Sequence, residues 1–343
     1  MNDLVVIDGS YGEGGGQVLR TSLALAAITG RPLEIHSIRG KRAKPGLQPQ
    51  HLMAAKAAAE ICGAELKGAE VQSGYLRFAP ARKVEAGDFR FDIGTAGATT
   101  LVLQTVFVPL ALAGGVSRVT VTGGTHNPSA PPADYLEHVF LPAMRRMGVE
   151  STLNVPRFGF FPKGGGEVSL ELSGSGGLQP ILLEERGKLV AEIGWIDLAS
   201  LPEEVGRRGA ERLRSFVDER VSIEVRERMA LSPGAAAFVA AQYENGFAGY
   251  TGIGARGKRM EVVSEEAGQP YAEWKQGSST VDEHLADQLV LPAALASGRS
   301  RWRTNSVTEH LTTVAWVVSQ FLDREIEIDE ETGWVTVHGD PVR

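Results

Sequence analysis

Apolar positions along this chain change period repeatedly. Residues 4–7 run apolar into a stretch that almost only glycine can follow, and a helical apolar pattern over residues 18–28 leaves it. Gly30, with Pro32 just beyond, stops that helix, and residues 33–38 read as a strand. Pro49 opens a helix over residues 50–61 that ends at Cys62-Gly63. Two strand-like pieces, residues 71–78 and 88–93, lead into a helix over residues 99–113. A strand over residues 116–122 and a helix over residues 134–147, closed by Gly148, follow. From about residue 181 to residue 276 charge density rises and the pattern changes. A charged helix (202–217), a strand (221–225), a helix (235–243) and a strand (260–263) are predicted there. The last part returns to the first pattern. Strands alternating with helices predict an α/β (mixed α+β) fold.

The first strand and helix are joined by Asp8-Gly9-Ser10-Tyr11-Gly12-Glu13-Gly14-Gly15-Gly16-Gln17. Such a turn brings bare backbone N–H groups close to a ligand, with a helix N-terminus behind them. It is either a phosphate cradle or a plain tight turn. It is not the dinucleotide fingerprint, because Gln17 stands where the third glycine is required. Glycine-rich junctions recur at Gly94-Thr95-Ala96-Gly97 and Gly164-Gly165-Gly166, intervals of about 75 residues that suggest a repeated supersecondary unit. Gly252 to Arg259 nearly matches a phosphate loop. Arg259 replaces the Ser or Thr that holds magnesium and residues 260–263 read as a strand, so this stretch is read as a hairpin.

Composition narrows the setting. The chain has 343 residues, enough for about two domains, with 43% hydrophobic and 22% charged residues. The single cysteine, Cys62, excludes a disulfide framework and reads as a packed thiol. No basic leader and no apolar run long enough to span a bilayer is seen, so a cytoplasmic protein without a membrane partner is expected. Nothing in the pattern fixes an oligomeric state. The net charge of −7 argues against coating long nucleic acid, but it allows recognition of one phosphate end.

Against that acidic background, Arg39-Gly40-Lys41-Arg42-Ala43-Lys44-Pro45-Gly46 forms a cationic loop, either a solvated turn or a phosphate site. Gln104 is the large polar residue on an otherwise apolar helix and must be hydrogen-bonded, to a ligand or to the core. The loop from Gly123 to Pro132 is stiff enough for a pocket wall, and its His126 reads as a surface or structural residue rather than a catalytic one. Two late helices open alike, Thr280-Val281-Asp282-Glu283-His284 and Ser306-Val307-Thr308-Glu309-His310, both fitting the capping box. Each puts a histidine in a first helical turn, where the dipole disfavours the imidazolium and favours an anion. A neutral imidazole beside bound phosphate is what attack on phosphorus needs. Asp287 and Gln288 follow His284 on the same face, and Asp287 is a candidate for a magnesium ion. Spacing alone does not tell which histidine reacts.

Together these residues resemble the RNA 3′-terminal phosphate cyclase family. The likeness spans nearly the whole chain: Asp8 to Gln17, Arg39 to Gln48, Gly94 to Gln104, Gly123-Gly124-Thr125 with Asn127 to Pro132, Leu285 to Pro292, and His310. It implies a large domain of three repeated units, each a four-stranded sheet with two helices, plus a smaller inserted α/β domain. Residues 1–180 and 278–343 are assigned to the large domain and residues 181–277 to the inserted one. It also implies that His310 takes AMP from ATP and passes it to an RNA 3′-phosphate, after which the 2′-hydroxyl closes a 2′,3′-cyclic phosphate. Gln104, Pro131, His284, Leu285, Ala286, Asp287 and Gln288 would line the nucleotide pocket. Glu13 and Asp287 would contact nucleotide or Mg2+ (or Mn2+). Arg20, Arg39 and Arg42 are assigned to the RNA terminal phosphate. At position 284 the family commonly has tyrosine; histidine keeps a ring against adenine but can titrate. Two other readings are a non-catalytic RNA-binding relative in ribosome assembly, which would lack the reactive histidine, and an enolpyruvyl-type transferase, which would need no nucleotide.

Overall fold

The first strand sets the architecture. In β1 (Val5–Asp8), Val5 and Ile7 are buried while Val6 is 58% exposed, so one face of its sheet meets helices and the other meets water. The computed structural model describes residues 3–128, 130–174 and 176–342. After β1 come α1 (Gly16–Thr29), β2 (Leu33–His36), α2 (Pro49–Cys62), β3 (Glu65–Lys67) and β4 (Leu76–Ala79). The sheet is ordered β1-β2-β4-β3, parallel between β1 and β2 and antiparallel elsewhere.

The second unit repeats this. It runs β5 (Asp88–Asp92), α3 (Thr99–Ala113), β6 (Gly115–Gly123), then a composite helix. That helix comprises α4 (Ala133–Tyr135), a π-helical turn (Leu136–Phe140) and α5 (Leu141–Arg146). β7 (Glu150–Arg157) and β8 (Gly166–Gly174) complete the sheet β5-β6-β8-β7, with the same parallel and antiparallel pairings.

After β9 (Leu182–Leu183) the chain departs into a fourth sheet. It is built from β10 (Leu189–Ala199), α6 (Glu203–Arg214), β11 (Ile223–Glu227), β12 (Gly234–Tyr243), β13 (Gly246–Ile253) and α7 (Met260–Gln276), ordered β11-β10-β12-β13. The chain then returns as α8 (Glu283–Gln288), α9 (Val290–Leu295), β14 (Gly298–Arg303), α10 (Glu309–Phe321), β15 (Ile326–Ile328) and β16 (Trp334–Gly339). The third sheet is ordered β15-β16-β14-β9, with β9 parallel to β14. The three units therefore share one topology, as the resemblance implies, and the fourth sheet interrupts the last of them.

Helices α1, α2, α3 and α10 pack on one another between the sheets, and one core runs through all three units. This is why α3 is apolar all round: it is buried along nearly its whole length. Each fully buried side chain there, such as Val102 or Phe107, contributes about 1.5–3 kcal/mol by leaving water. The inserted sheet has its own core, including Ile196, Leu213, Val239, Tyr271 and Trp274. Cys62 is a buried thiol donating to Ala58 O, pushed up to about 11 chiefly by burial. Among the described residues no helix is long and apolar enough to cross a membrane.

Several expectations are corrected. Residues 235–243 are not a helix but the central strand β12. Alanine's helix preference is a fraction of a kcal/mol per residue, and burial on both faces overrides it. One face lies against α7 and the other against the π-helical turn, where small side chains fit. Residues 260–263 open α7 instead of forming a strand, so Gly252 to Arg259 joins a strand to a helix and is not a hairpin. Lys258 is nonetheless engaged within the protein, by Ile253 O at 3.0 Å and both Glu266 oxygens at 2.8 Å. The strand predicted over residues 71–78 starts only at Leu76, since Val71 is 51% exposed, and the short polar β3 was not foreseen. The junction at Gly164-Gly165-Gly166 leads into strand β8, so only the first two glycine junctions join strand to helix. The boundary predicted at residue 181 falls before β9, whose Leu182 and Leu183 pair with Arg301 and Trp302 of the third sheet. The inserted sheet begins at Leu189.

A buried ionic group joins the inserted sheet to the second unit. His126 Nε2 lies 2.7 Å from Asp134 Oδ2, and Arg228 Nε donates to Asp197 Oδ1 at 2.5 Å. Ligand atoms of His126, Asp134 and Asp197 lie within 4.8 Å of one another. His126 is thus a buried member of this group and not a surface residue.

Candidate active site

α10 begins at Thr308, whose Oγ1 accepts the Leu311 N–H at 3.2 Å, and His310 is its second helical residue. α8 begins at Asp282, whose Oδ1 accepts from His284 N at 2.9 Å and Leu285 N at 2.8 Å. The predicted capping boxes start two residues too early. Thr280 is paired with Arg303 across the sheet end, and Glu283 turns outward to accept from Tyr250 Oη and Asn305 Nδ2, each at 2.9 Å. The shift leaves both histidines in first turns.

The glycine turn faces α10. Gly12 has φ +57°, and a Cβ there would overlap Thr313 Oγ1. Only glycine brings the turn this close to the helix. The next residue, Glu13, has its Oε2 3.6 Å from His310 Nε2 and receives a hydrogen bond from Arg42 Nη2. Its side chain is 6% exposed, and among the described residues its Oε1 is buried without a hydrogen-bond partner. The His310 side chain is 48% exposed. Burial holds its pKa below the usual imidazole value, and the positive charges of Arg20 and Arg42 lower it further.

Arg20, about one turn into α1 from the glycine loop, donates to Gln17 Oε1. Burial pushes its guanidinium down to about 10, with Asp287 opposing the shift. Asp287 is pushed up to about 7 by burial, against the pull of His284 and Arg20. Arg20, Gln17, Gln104, Asp287 and Gln288 line a cavity of about 50 Å³. Gln104 Nε2 donates to Gln288 Oε1 at 2.8 Å, the partner its apolar helix demanded. Leu285 and Ala286 are fully buried beneath this pair, whereas the His284 side chain is 60% exposed, edge-on to Tyr135 at 6.3 Å.

Pro131 is half-buried in the loop between β6 and α4, which Asn127 Nδ2 ties to Ala96 O; Ser129 of that loop lies outside the described residues. Arg39 is used by its own loop: its Nη1 donates to Lys44 O and, at 3.2 Å, to Gly46 O. Two residues at the site were missed. Lys41 Nζ donates to Gly12 O at 3.0 Å, fastening the cationic loop to the glycine turn. His51, in the first turn of α2, packs so that a Cβ on Gly16 would meet both its Nε2 and Arg20 Nη1. Burial, then Arg20 and Arg39, pushes His51 down to about 3. Its accepted bond from Gln48 N, 3.2 Å, is a helix-start pattern legible in the sequence only once α2 is placed.

Residues 11–328 match the family described as RNA 3′-terminal phosphate cyclase. The chain belongs to that family. A cyclase-named protein of Nostoc punctiforme is 45% identical over 343 residues, covering 97% of this chain and 99% of the relative. One from Methylococcus capsulatus is 44% identical over 351 residues, covering 98% and 97%. One from Pyrobaculum aerophilum is 42% identical over 339 residues, covering 97% of each. All three bear the name RNA 3′-terminal phosphate cyclase. Membership in the cyclase family bears out the resemblance drawn from the glycine turn, the cationic loop and the two histidine-bearing helices.

Proposed function

We propose that this chain converts an RNA 3′-terminal phosphate into a 2′,3′-cyclic phosphate at the expense of ATP, with His310 as the nucleophile. The observation that carries this reading is the environment of His310. It is a half-exposed imidazole in a first helical turn, kept neutral by burial and flanked by Arg20 and Arg42. A neutral ring keeps a nitrogen lone pair for phosphorus. Attack on the α-phosphate forms a P–N bond and breaks the bond to pyrophosphate, which leaves. An oxygen of the RNA 3′-phosphate then attacks that phosphorus and the imidazole departs. The 2′-hydroxyl finally attacks the 3′-phosphorus, its proton passing to water, and AMP leaves. Dependence on that hydroxyl separates RNA ends from DNA ends.

In this reading Gln104, Pro131, His284, Asp287 and Gln288 line the nucleotide, with Leu285 and Ala286 fully buried behind them. Arg20, Arg39 and Arg42 neutralise phosphate charge, which is where preset cations lower a phosphoryl-transfer barrier. Glu13 Oε1, buried and unpaired among the described residues, fits a hard divalent cation such as Mg2+ or Mn2+, and Asp287 is the second carboxylate assigned to it. When bound, the ion would supply neutralisation of phosphate charge.

Incubation with α-labelled ATP and magnesium should leave an acid-labile, alkali-stable AMP on the protein. An unlabelled protein, or full labelling of His310→Ala, would refute the assignment. The fate of a 3′-phosphorylated oligoribonucleotide then distinguishes cyclisation from other adenylyl transfer.

A further inference from the structure

Tyr11 is the aromatic residue of the glycine turn, and it lies flat on Trp316 of α10, ring centroids 3.7 Å apart and planes 15° from parallel. The stack closes one face of the tyrosine, yet Tyr11 is 43% exposed. Its backbone is fixed at both ends: Tyr11 N donates to Asp8 O at 3.1 Å, and Gly14 N donates to Tyr11 O at 3.0 Å. Successive turn residues step along α10, with Tyr11 on Trp316, Gly12 against Thr313 and Glu13 facing His310. At a rise of 1.5 Å per residue, Trp316 lies about 9 Å along the axis from His310. Lys41, which grips Gly12 O, and its neighbours Arg42 and Lys44 are exposed on an otherwise acidic chain.

A rigid aromatic face beside a cationic strip is how proteins hold single-stranded nucleic acid: bases stack on the ring and phosphates meet the cations. We infer that the outer face of Tyr11, backed by Trp316, stacks a base at the 3′ end of the RNA, with Lys41 and Lys44 meeting the adjoining phosphates. Resting on the reading proposed above, it adds a substrate contact outside the nucleotide pocket. The adenine of ATP is assigned to the surroundings of Gln104 and His284, and the cavity at Gln104 is not lined by Tyr11 or Trp316, so the platform is assigned to the RNA alone. Stacking is tolerant of sequence, since every base presents a π face, and binding here depends on an unpaired end.

The test compares Tyr11→Ala and Tyr11→Phe on a 3′-phosphorylated oligoribonucleotide, with thermal melting of each variant as a control for folding. Tyr11→Ala should raise KM for RNA about tenfold, equivalent to about 1.4 kcal/mol, with kcat little altered. Tyr11→Phe should restore KM. A 2-aminopurine placed at the terminal or the adjacent position should be quenched by the unaltered protein and not by Tyr11→Ala. An unchanged KM with unchanged quenching overturns the inference. So does a loss of ATP-driven self-labelling in step with RNA use, which would reduce Tyr11 to a clamp holding the turn on α10. Absence of self-labelling in the unaltered protein would instead sink the histidine-AMP reading, while the 2-aminopurine signal still reports on the platform.

Discussion

His310 Nε2 faces Glu13 Oε2 at 3.6 Å, too far for a hydrogen bond, while Arg42 occupies that oxygen and the other is buried with no partner among the described residues. The carboxylate thus has an unused acceptor oxygen next to the candidate nucleophile. Glu13→Gln keeps the shape and removes the charge. The magnesium concentration for half-maximal self-labelling should rise about 10- to 100-fold. An unaltered magnesium dependence would exclude Glu13 from holding the ion.

The cations around His310 set its proton affinity. Burial, Arg20 and Arg42 all lower its pKa, so its titration midpoint, followed by NMR of the ring, should lie below 6.5. Replacing Arg42 with Met removes one repelling charge and leaves Glu13 unpaired, so the midpoint should move up. A downward movement would contradict this electrostatic account.

Asp287 titrates in the opposite sense. Burial raises its folded pKa to about 7 from 3.8, so between those values the folded state holds a proton that the unfolded state has released. Stability from this group is therefore present at low pH and falls as pH rises toward 7. Asp287→Asn should melt higher than the unaltered protein at pH 8, and the gain should vanish near pH 4. In the reading proposed above, the same change weakens use of ATP and magnesium.

Gly12 carries the contact between turn and helix. Gly12→Ala meets both a left-handed backbone and Thr313 Oγ1, and should cost about 1–3 kcal/mol in urea unfolding from the backbone alone. Adding Thr313→Ala should recover the steric part and leave the backbone part. Full recovery would show that φ at Gly12 is not strained by a side chain.

Much of this was legible in the residues. The strand, glycine turn and helix that present Glu13, and the helix bearing Gln104, follow from local period and stop signals. Both histidines fell in first helical turns even though the caps are Asp282 and Thr308. What failed depends on tertiary surroundings. The alanines of β12 are a strand because they fill a thin space between α7 and the π-helical turn, which no local preference records. His51 reaches Arg20 only through the packing of α2 on α1. Arg39 and Arg42 announced a cationic loop, but their present partners, Lys44 O, Gly46 O and Glu13, are set by the loop's fold.

Asp282 serves two masters. Its Oδ1 closes the start of α8 and accepts the Tyr135 hydroxyl at 2.7 Å, while its Oδ2 takes Gly249 N of β13 at 3.0 Å. One carboxylate therefore bolts the helix bearing His284, Asp287 and Gln288 to the sheet spliced into the third repeat. The guest sheet cannot swing away without stripping a partner from the carboxylate that caps the pocket helix, and so the insertion braces the site from outside.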